Sequence, residues 1–158
     1  EYQPLAIIDM NHWFLIDRSG TPFKKWDESD PEGLPVIAGL DISDLKQRDG
    51  PFSRPFSAVM AVLKLGRKTD STIPIDQIDT IEVDRDIGLT IHMKDQDGAV
   101  HLGYYDYPSK YKLLEKVLVY FKNQDKESSL RSIDLNNPNR IVVNIDTKAL
   151  PATGQKEV

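Results

Sequence analysis

Residues 88–105 read GLTIHMKDQDGAVHLGYY and decide the fold, because apolar and polar side chains alternate on both sides of a turn signal. Asp97-Gly98 is a favoured dipeptide for a two-residue hairpin turn, and pairing about it sets Met93 opposite Leu102. One face then carries Leu89, Ile91, Met93, Val100, Leu102 and Tyr104, and the other carries His92, Lys94 and His101. A slip of one residue would mix these faces, so the pattern and the turn predict the same register.

A helix is predicted on either side of this hairpin. In residues 53–66, Ser53 is the N-cap, Pro55 suits the first turn and Gly66 ends the helix. The second helix covers residues 107–123. Apolar stripes at helical spacing consist of Phe56, Val59, Met60 and Leu63 in the first helix and of Leu113, Leu114, Val117, Leu118 and Phe121 in the second. We expect both stripes to pack on a sheet.

Short apolar segments elsewhere have the length and composition of strands. They are residues 4–10, 13–17, 78–84, 129–135 and 140–146, with a return strand beginning at residues 21–23. The order of strands and helices predicts an α+β fold with a mostly antiparallel sheet and two helices packed on one face. Residues 1–146 are expected to form this domain, and the polar residues 147–158 a disordered tail.

Composition excludes several classes of protein. The 158 residues carry a net charge of −5 and no cysteine, which excludes a disulfide scaffold and a thiol nucleophile. No basic stripe interleaved with aromatic residues is present, so nucleic acid is not an expected partner. Lys and Arg are scattered among Asp and Glu, which argues against a membrane-surface patch. The apolar runs are only a few residues long, so this chain is not expected to enter a membrane.

Candidate catalytic and metal-binding residues do not form complete sets. His92 and His101 share a face of the hairpin but lack a third ligand at useful spacing. The sequence DQDG at residues 95–98 matches only part of a calcium loop, and the acidic run from Asp76 to Asp86 fits a solvated strand face. No nucleophile elbow or Gly-rich phosphate loop occurs. The sequence therefore predicts no enzymatic activity, no metal and no cofactor.

The last predicted strand has nothing after it that is expected to pair. Ile141, Val143 and Ile145 alternate with Val142, Asn144 and Asp146. The free N–H and C=O groups of such an edge are a template for an incoming strand, the binding mode called β-augmentation. The LPATG sequence at residues 150–154 matches a sortase sorting signal, but the apolar segment and basic residues of that signal do not follow. We interpret LPATG as a chance match or an added ligation tag.

Several segments in succession resemble the FtsQ/DivIB family of bacterial division proteins. FLIDRSGTPF at residues 14–23, followed by LPVIAG at residues 34–39, matches the family pattern at Leu15, Ile16, Asp17, Gly20, Phe23, Leu34, Pro35, Ile37 and Gly39. The opening EYQPLAII, the hairpin ending in Leu-Gly and the closing IDLNNPNRIVVNI resemble the family in the same order. The resemblance spans roughly residues 1–146.

This resemblance implies a non-catalytic divisome scaffold. Family members are single-pass inner-membrane proteins in which a POTRA domain precedes a β domain on the periplasmic side. The resemblance places residues 1–10 at the junction between the two, with only the β domain present here. It also implies that the small division proteins FtsB and FtsL bind by strand addition at the septum, at Asn136, Asn137, Arg140, Ile141, Val142, Val143, Asn144 and Ile145. Some relatives have Tyr, Gly and Trp where this chain has Asn137, Arg140 and Ile145.

Two alternatives remain open from the sequence. One is a periplasmic ligand-binding or enzymatic α+β domain whose pocket lies at the hairpin face. The other is a plain edge strand that Pro138 and Arg140 guard against pairing.

Overall fold

A computed structural model describes residues 3–45, 52–94, 96, 98–125, 130–137, 139–146 and 155–157. Within these residues the strands are β1 Ala6–Met10, β2 His12–Ile16, β3 Pro22–Lys25, β4 Val36–Ala38, β5 Ile78–Asp84, β6 Gly88–Met93, β7 Ala99–Gly103, β8 Leu130–Asn137, β9 Arg140–Ile145 and β10 Gln155–Glu157. The helices are α1 Ile42–Leu45, α2 Arg54–Gly66 and α3 Tyr107–Asn123, and a 3₁₀ turn covers Ile75–Gln77.

All ten described strands form one sheet in the order β10-β9-β8-β7-β6-β5-β4-β1-β2-β3. The predicted α+β class is confirmed, but the sheet is mixed. β4 pairs in parallel with β1 and β5, and β7 pairs in parallel with β8. Parallel neighbours require a crossover connection. Between β1 and β4 this connection contains the strands β2 and β3, and in the other two pairs it contains a long helix. α2 lies between β4 and β5 in the chain, and α3 lies between β7 and β8.

Both long helices begin and end where the sequence predicts. Ser53 caps α2, since its Oγ accepts the N–H of Phe56 at 3.3 Å. α3 covers Tyr107–Asn123, the whole predicted range. The four-residue helix α1 was not predicted, because one turn is too short to show a helical period.

The core lies between the two long helices and one face of the sheet. The helices contact each other, α2 packs on β5 and β6, and α3 packs on β8. The predicted helix residues Phe56, Val59, Leu63, Leu114, Val117 and Phe121 are buried, together with Ile8, Ile37, Ile81, Ile91, Leu102, Ile133 and Val143 from the strands. This single apolar cluster confirms that the helix stripes pack on the sheet.

The central hairpin has the predicted faces but not the predicted register. Ile91 pairs with Val100, and the last pair before the connection is His92 with Ala99. Met93 instead lies opposite Ile78 of β5, so β6 is longer than its pairing with β7. Ile91 was expected opposite Tyr104 and lies opposite Val100. The two registers differ by an even number of residues, and because side chains alternate between faces, Ile91 and Val100 remain on their predicted face. Asp95 and Asp97 of the predicted turn lie outside the described residues.

The end of the chain differs from the prediction. Residues 155–157 form β10, which pairs antiparallel with β9. The expectations of a wholly disordered tail and of an unpaired last strand are therefore wrong for these three residues, while residues 147–154 and 158 lie outside the described part. An edge strand exposes unpaired N–H and C=O groups, and a tethered segment is present near them at high effective concentration. A polar three-residue strand has no sequence signal that would have predicted it.

Candidate partner-binding edge

The two edges of the sheet differ in how they are protected. β3 begins at Pro22, which has no N–H to offer, and carries Lys24 and Lys25, so it is a guarded edge. At the other end of the sheet the outermost strand is β10, which is short and polar. Its described residues pair with Val142, Val143 and Asn144 of the six-residue strand β9. β9 is thus longer than β3, and the described strand on its outer side covers three of its residues.

Side chains of β9 alternate between the core and the opposite face of the sheet. Ile141, Val143 and Ile145 are buried in the core, so they stabilise the fold and cannot line a pocket for a partner. Val142 and Asn144 are half-buried on the other face. Of the two faces that the sequence left open for side-chain contacts, only the face with Val142 and Asn144 is accessible.

The neighbouring strand β8 holds β9 in place. Ser132 lies opposite Asn144, Ile133 opposite Val143 and Asp134 opposite Val142. Asn144 Nδ2 donates to Ser132 Oγ at 2.6 Å across the two strands. Arg131 Nη2 lies 2.8 Å from Asp146 Oδ2, just beyond the end of β9. The side chain of Asn144 is therefore already engaged, which leaves Val142 as the main apolar contact on the accessible face.

The turn before β9 is shaped by its own side chains. The N–H of Asn136 donates to Asp134 Oδ1 at 2.9 Å, and the N–H of Asn139 donates to Asn137 Oδ1 at 2.9 Å. These are Asx-type turns, in which a short polar side chain replaces a backbone acceptor. The side chains of Asp134 and Asn137 thus set the direction from which the chain begins β9. Pro138 lies outside the described residues.

The side chain of Asn136 lies against the end of β7. A Cβ atom built on Gly103 would lie 1.8 Å from Asn136 Oδ1, which ends an exposed side chain. Gly103 also has a φ of +65°, which other residues adopt at a cost. The backbone conformation therefore favours glycine at this position, and the absence of a side chain leaves room for Asn136.

An exposed aromatic patch near this turn was not predicted from the sequence. Tyr105 is 69% exposed and has a φ of +68°. The guanidinium of Arg54 lies 4.0 Å from the ring centroid of Tyr104 and 4.7 Å from that of Tyr105. The exposed Ile87 lies on the turn before β6, and its carbonyl oxygen would be 3.5 Å from a Cβ on Gly103. The only sequence signal was the Tyr-Tyr pair after the hairpin, which also fits a core position.

Two buried polar side chains of α3 have structural roles at the end of β7. Burial lowers the pKa of Lys110, which donates to the carbonyl oxygens of Leu102 at 2.6 Å and Tyr104 at 2.8 Å. Burial raises the pKa of Tyr107, whose hydroxyl donates to Gly103 O at 2.8 Å. A shifted pKa marks a candidate catalytic residue only where the group faces an open site. Here the polar groups anchor α3 to the end of β7.

Candidate metal and catalytic residues do not converge within the described part of the chain. His101 Nδ1 lies 3.0 Å from Thr90 Oγ1, and His92 Nε2 lies 3.4 Å from Glu82 Oε2. The described residues contain no group of three or more His, Asp or Glu side chains that could hold a metal ion. The acidic residues Asp76, Asp79, Glu82, Asp84 and Asp86 are all exposed, as predicted.

A cavity of about 250 Å³ lies between α3 and the strands β6 to β8. Leu114, Leu118 and Ile133 contribute to its apolar lining. Arg131 is the one charged residue among the described lining residues, and it pairs with Asp146. The described lining residues therefore include no pair of titratable groups for acid–base chemistry. In the same described ranges, no helix combines the length and the apolar character needed to cross a membrane.

Comparison with known proteins identifies the relatives of this sequence. The profile of the family described as "Cell division protein FtsQ/DivIB, C-terminal" matches residues 6–136, which include β1 to most of β8. Cell division protein FtsQ of Geotalea daltonii (strain DSM 22248 / JCM 15807 / FRC-32) is 32% identical over 145 residues, covering 90% of this chain and 51% of the relative.

Two further relatives carry the same name. Cell division protein FtsQ of Syntrophotalea carbinolica (strain DSM 2380 / NBRC 103641 / GraBd1) is 29% identical over 153 residues, covering 96% of this chain and 52% of the relative. That of Anaeromyxobacter sp. (strain K) is 26% identical over 136 residues, covering 85% and 45%. The chain thus spans about half the length of the curated relatives it matches, and β9 follows the range that the family profile matches.

Proposed function

Because this chain belongs to the FtsQ/DivIB family of cell division proteins, we propose that it is a non-catalytic scaffold of the division machinery. It binds segments of FtsB-like and FtsL-like proteins by adding their strands to the sheet at β9. The binding takes place at the periplasmic face of the inner membrane, where a membrane helix of the full-length protein holds it. The family supports the role in division, and the geometry of β9 supports the mode of binding.

One observation carries the proposal of strand addition. β9 has six residues, and on its outer side the described residues of β10 pair only with Val142, Val143 and Asn144. Main-chain hydrogen bonds at an edge supply affinity without demanding a particular sequence, while alternate side chains supply specificity. The other edge, β3, is protected by Pro22 and two lysines. Among the described strands, β9 is therefore the better acceptor.

Side-chain recognition at β9 is limited to one face. A residue of the partner opposite Val142 forms a cross-strand pair with it, and Arg140 adds a positive charge at the start of the strand. This chain lacks the aromatic residues that some relatives carry here, and aromatic residues are common binding hot spots. We therefore propose that main-chain pairing supplies more of the affinity than side-chain anchoring does.

Proline substitutions in β9 test the proposal. Val142→Pro and Val143→Pro each remove one main-chain N–H, and successive N–H groups of a strand point to opposite sides. One variant therefore removes a donor that faces β8, and the other removes a donor that faces the incoming strand. We expect the variant that loses the donor facing the incoming strand to keep its fold, as measured by circular dichroism. Its affinity for an FtsB-like segment should fall about tenfold or more, equivalent to a loss of roughly 1.4 kcal/mol of binding free energy.

Val142→Thr is the matched control, because threonine keeps the branched shape and the N–H of the accessible position. It should bind the FtsB-like segment nearly as the parent does. If both proline variants fold and both retain the parent's affinity, β9 is not the partner site.

A further inference from the structure

We propose that β10 is a built-in cover for the β9 edge, which a partner strand must displace before it can bind. This inference rests on the proposed function of β9 as the acceptor strand. It concerns Gln155–Glu157, a segment of the chain's own tail.

β10 occupies the main-chain positions that the partner needs. Gln155 lies opposite Asn144, Lys156 opposite Val143 and Glu157 opposite Val142, in antiparallel register. These three β9 residues form the centre of the proposed partner segment. An edge strand has one free side, because the other side already pairs with β8. The tail and a partner strand therefore exclude each other over these residues.

The cover is short enough to be displaced. The described residues of β10 pair with three residues of β9, whereas a strand usually has about five to six residues. The tail compensates for its short pairing by being tethered to β9 through residues 147–154, which raises its effective concentration. A partner in solution must therefore form more pairs than the tail does.

The accessible face of β9 also specifies the kind of partner strand that wins this competition. Residues directly opposite each other in an antiparallel pair share a face of the sheet, and Val142 is the apolar residue on the accessible face of β9. β-Branched and aromatic residues pair well with valine across strands. The partner is thus an extended segment of at least about five residues with a β-branched or aromatic residue opposite Val142.

Such a cover has two consequences for the protein. It protects the edge from pairing with a second edge while no partner is bound. It also reduces the apparent affinity for the partner by the fraction of time for which β9 is uncovered. If the tail covers β9 for about 70–90% of the time, removing the tail should tighten binding by about three- to tenfold.

The test compares the full chain, a chain ending at Asp146, and the variants Lys156→Pro and Lys156→Thr. Proline disrupts the middle of β10, whereas threonine keeps its N–H and favours a strand. Affinity for the same FtsB-like segment should rise about three- to tenfold in the shortened chain and in Lys156→Pro. Lys156→Thr should bind as the full chain does or more weakly. Equal affinity of the full and shortened chains would overturn the cover while leaving the proposed function intact.

Hydrogen exchange without any partner separates the two proposals. Amides of residues 142–144 that face β10 should exchange several-fold faster in the shortened chain, while core amides of β6 remain protected. If no chain binds the segment, the proposed function is wrong, and the exchange result alone decides the cover. Unchanged exchange at residues 142–144 would then overturn it, and faster exchange in the shortened chain would support it.

Discussion

At the scale of single residues, Gly103 gives a sharp prediction. Its φ is +65°, and a Cβ would lie 1.8 Å from Asn136 Oδ1. Gly103→Ala should therefore destabilise the protein by about 1–2 kcal/mol, through the left-handed backbone, because the exposed Asn136 side chain can rotate away from the new methyl group. Gly98→Ala is the control, because its Cβ would lie 3.5 Å from Arg131 O, an ordinary contact. Chemical denaturation of both variants measures the difference, and equal stabilities would show that the backbone at Gly103 does not strain alanine.

Single positions also show where inference from sequence reaches its limit. The buried helix residues were predictable, because a helical period repeats the same information every turn. The left-handed backbone of Tyr105 and Asp106 was not, since nothing in these residue types demands a positive φ. Asp134 and Asn137 accept the local hydrogen bonds that shape the turn before β9, whereas the cluster of asparagines in the sequence predicts a turn without specifying these bonds.

At the scale of elements, α3 allows a comparison of the same substitution on two faces. Val117 is 2% exposed, and Val119 on the same helix is 51% exposed. Val117→Ala should cost about 1–3 kcal/mol of unfolding free energy, because it leaves a cavity against the sheet. Val119→Ala should change stability by less than about 0.5 kcal/mol. Urea unfolding of the two variants checks the packing, and a larger cost at Val119 would mean that α3 is rotated.

Helices and strand pairing differed in how well the sequence specified them. Both long helices were predicted to their last residue, because caps and periodicity are local signals. The three parallel pairings were not, because they depend on which distant strands meet. The hairpin register was not predicted either, because β6 pairs with β5 at Met93, beyond its last pair with β7. β9 was predicted as a strand, but its cover β10 was not, because three polar residues form a strand only when an edge is already there to receive them.

At the scale of the whole molecule, several carboxylates stabilise loops through hydrogen bonds made in their charged form. The hydroxyl of Ser19 is the main cause that lowers the pKa of Asp17, and that of Ser29 lowers the pKa of Asp27 to about 2. The N–H groups of Ile87 and Asp86 lower the pKa of Asp84. These groups lie in different turns around the sheet, so their titration acts on the fold as a whole.

Asp44 adds a buried member to this set. Burial alone would raise its pKa, but the N–H of Asp41, the hydroxyl of Ser53 and the guanidinium of Arg85 together lower it. Arg85 Nη2 lies 2.5 Å from Asp44 Oδ2, and the side chain of Asp44 is 2% exposed. The pair connects the helix α1 to the turn after β5. A substitution of Asp44 is therefore the sharpest test of how these carboxylates stabilise the fold.

The sign of the pH dependence follows from these lowered pKa values. In the unfolded chain the four aspartates titrate near 3.8, so below that pH the unfolded state binds more protons than the folded state. Their stabilising contribution is present above pH 4 or so, and it is lost as the pH falls through the folded pKa values toward about 2. We expect the melting temperature measured by circular dichroism to stay level from pH 7 to about 5 and to fall steeply between about 4 and 2.

Asp44→Asn should lower the melting temperature at pH 7, because it leaves Arg85 without its buried charged partner, and should make the fall in acid shallower. A melting temperature that stays constant down to pH 2.5, or an Asp44→Asn variant with the parent's full acid dependence, would contradict this account.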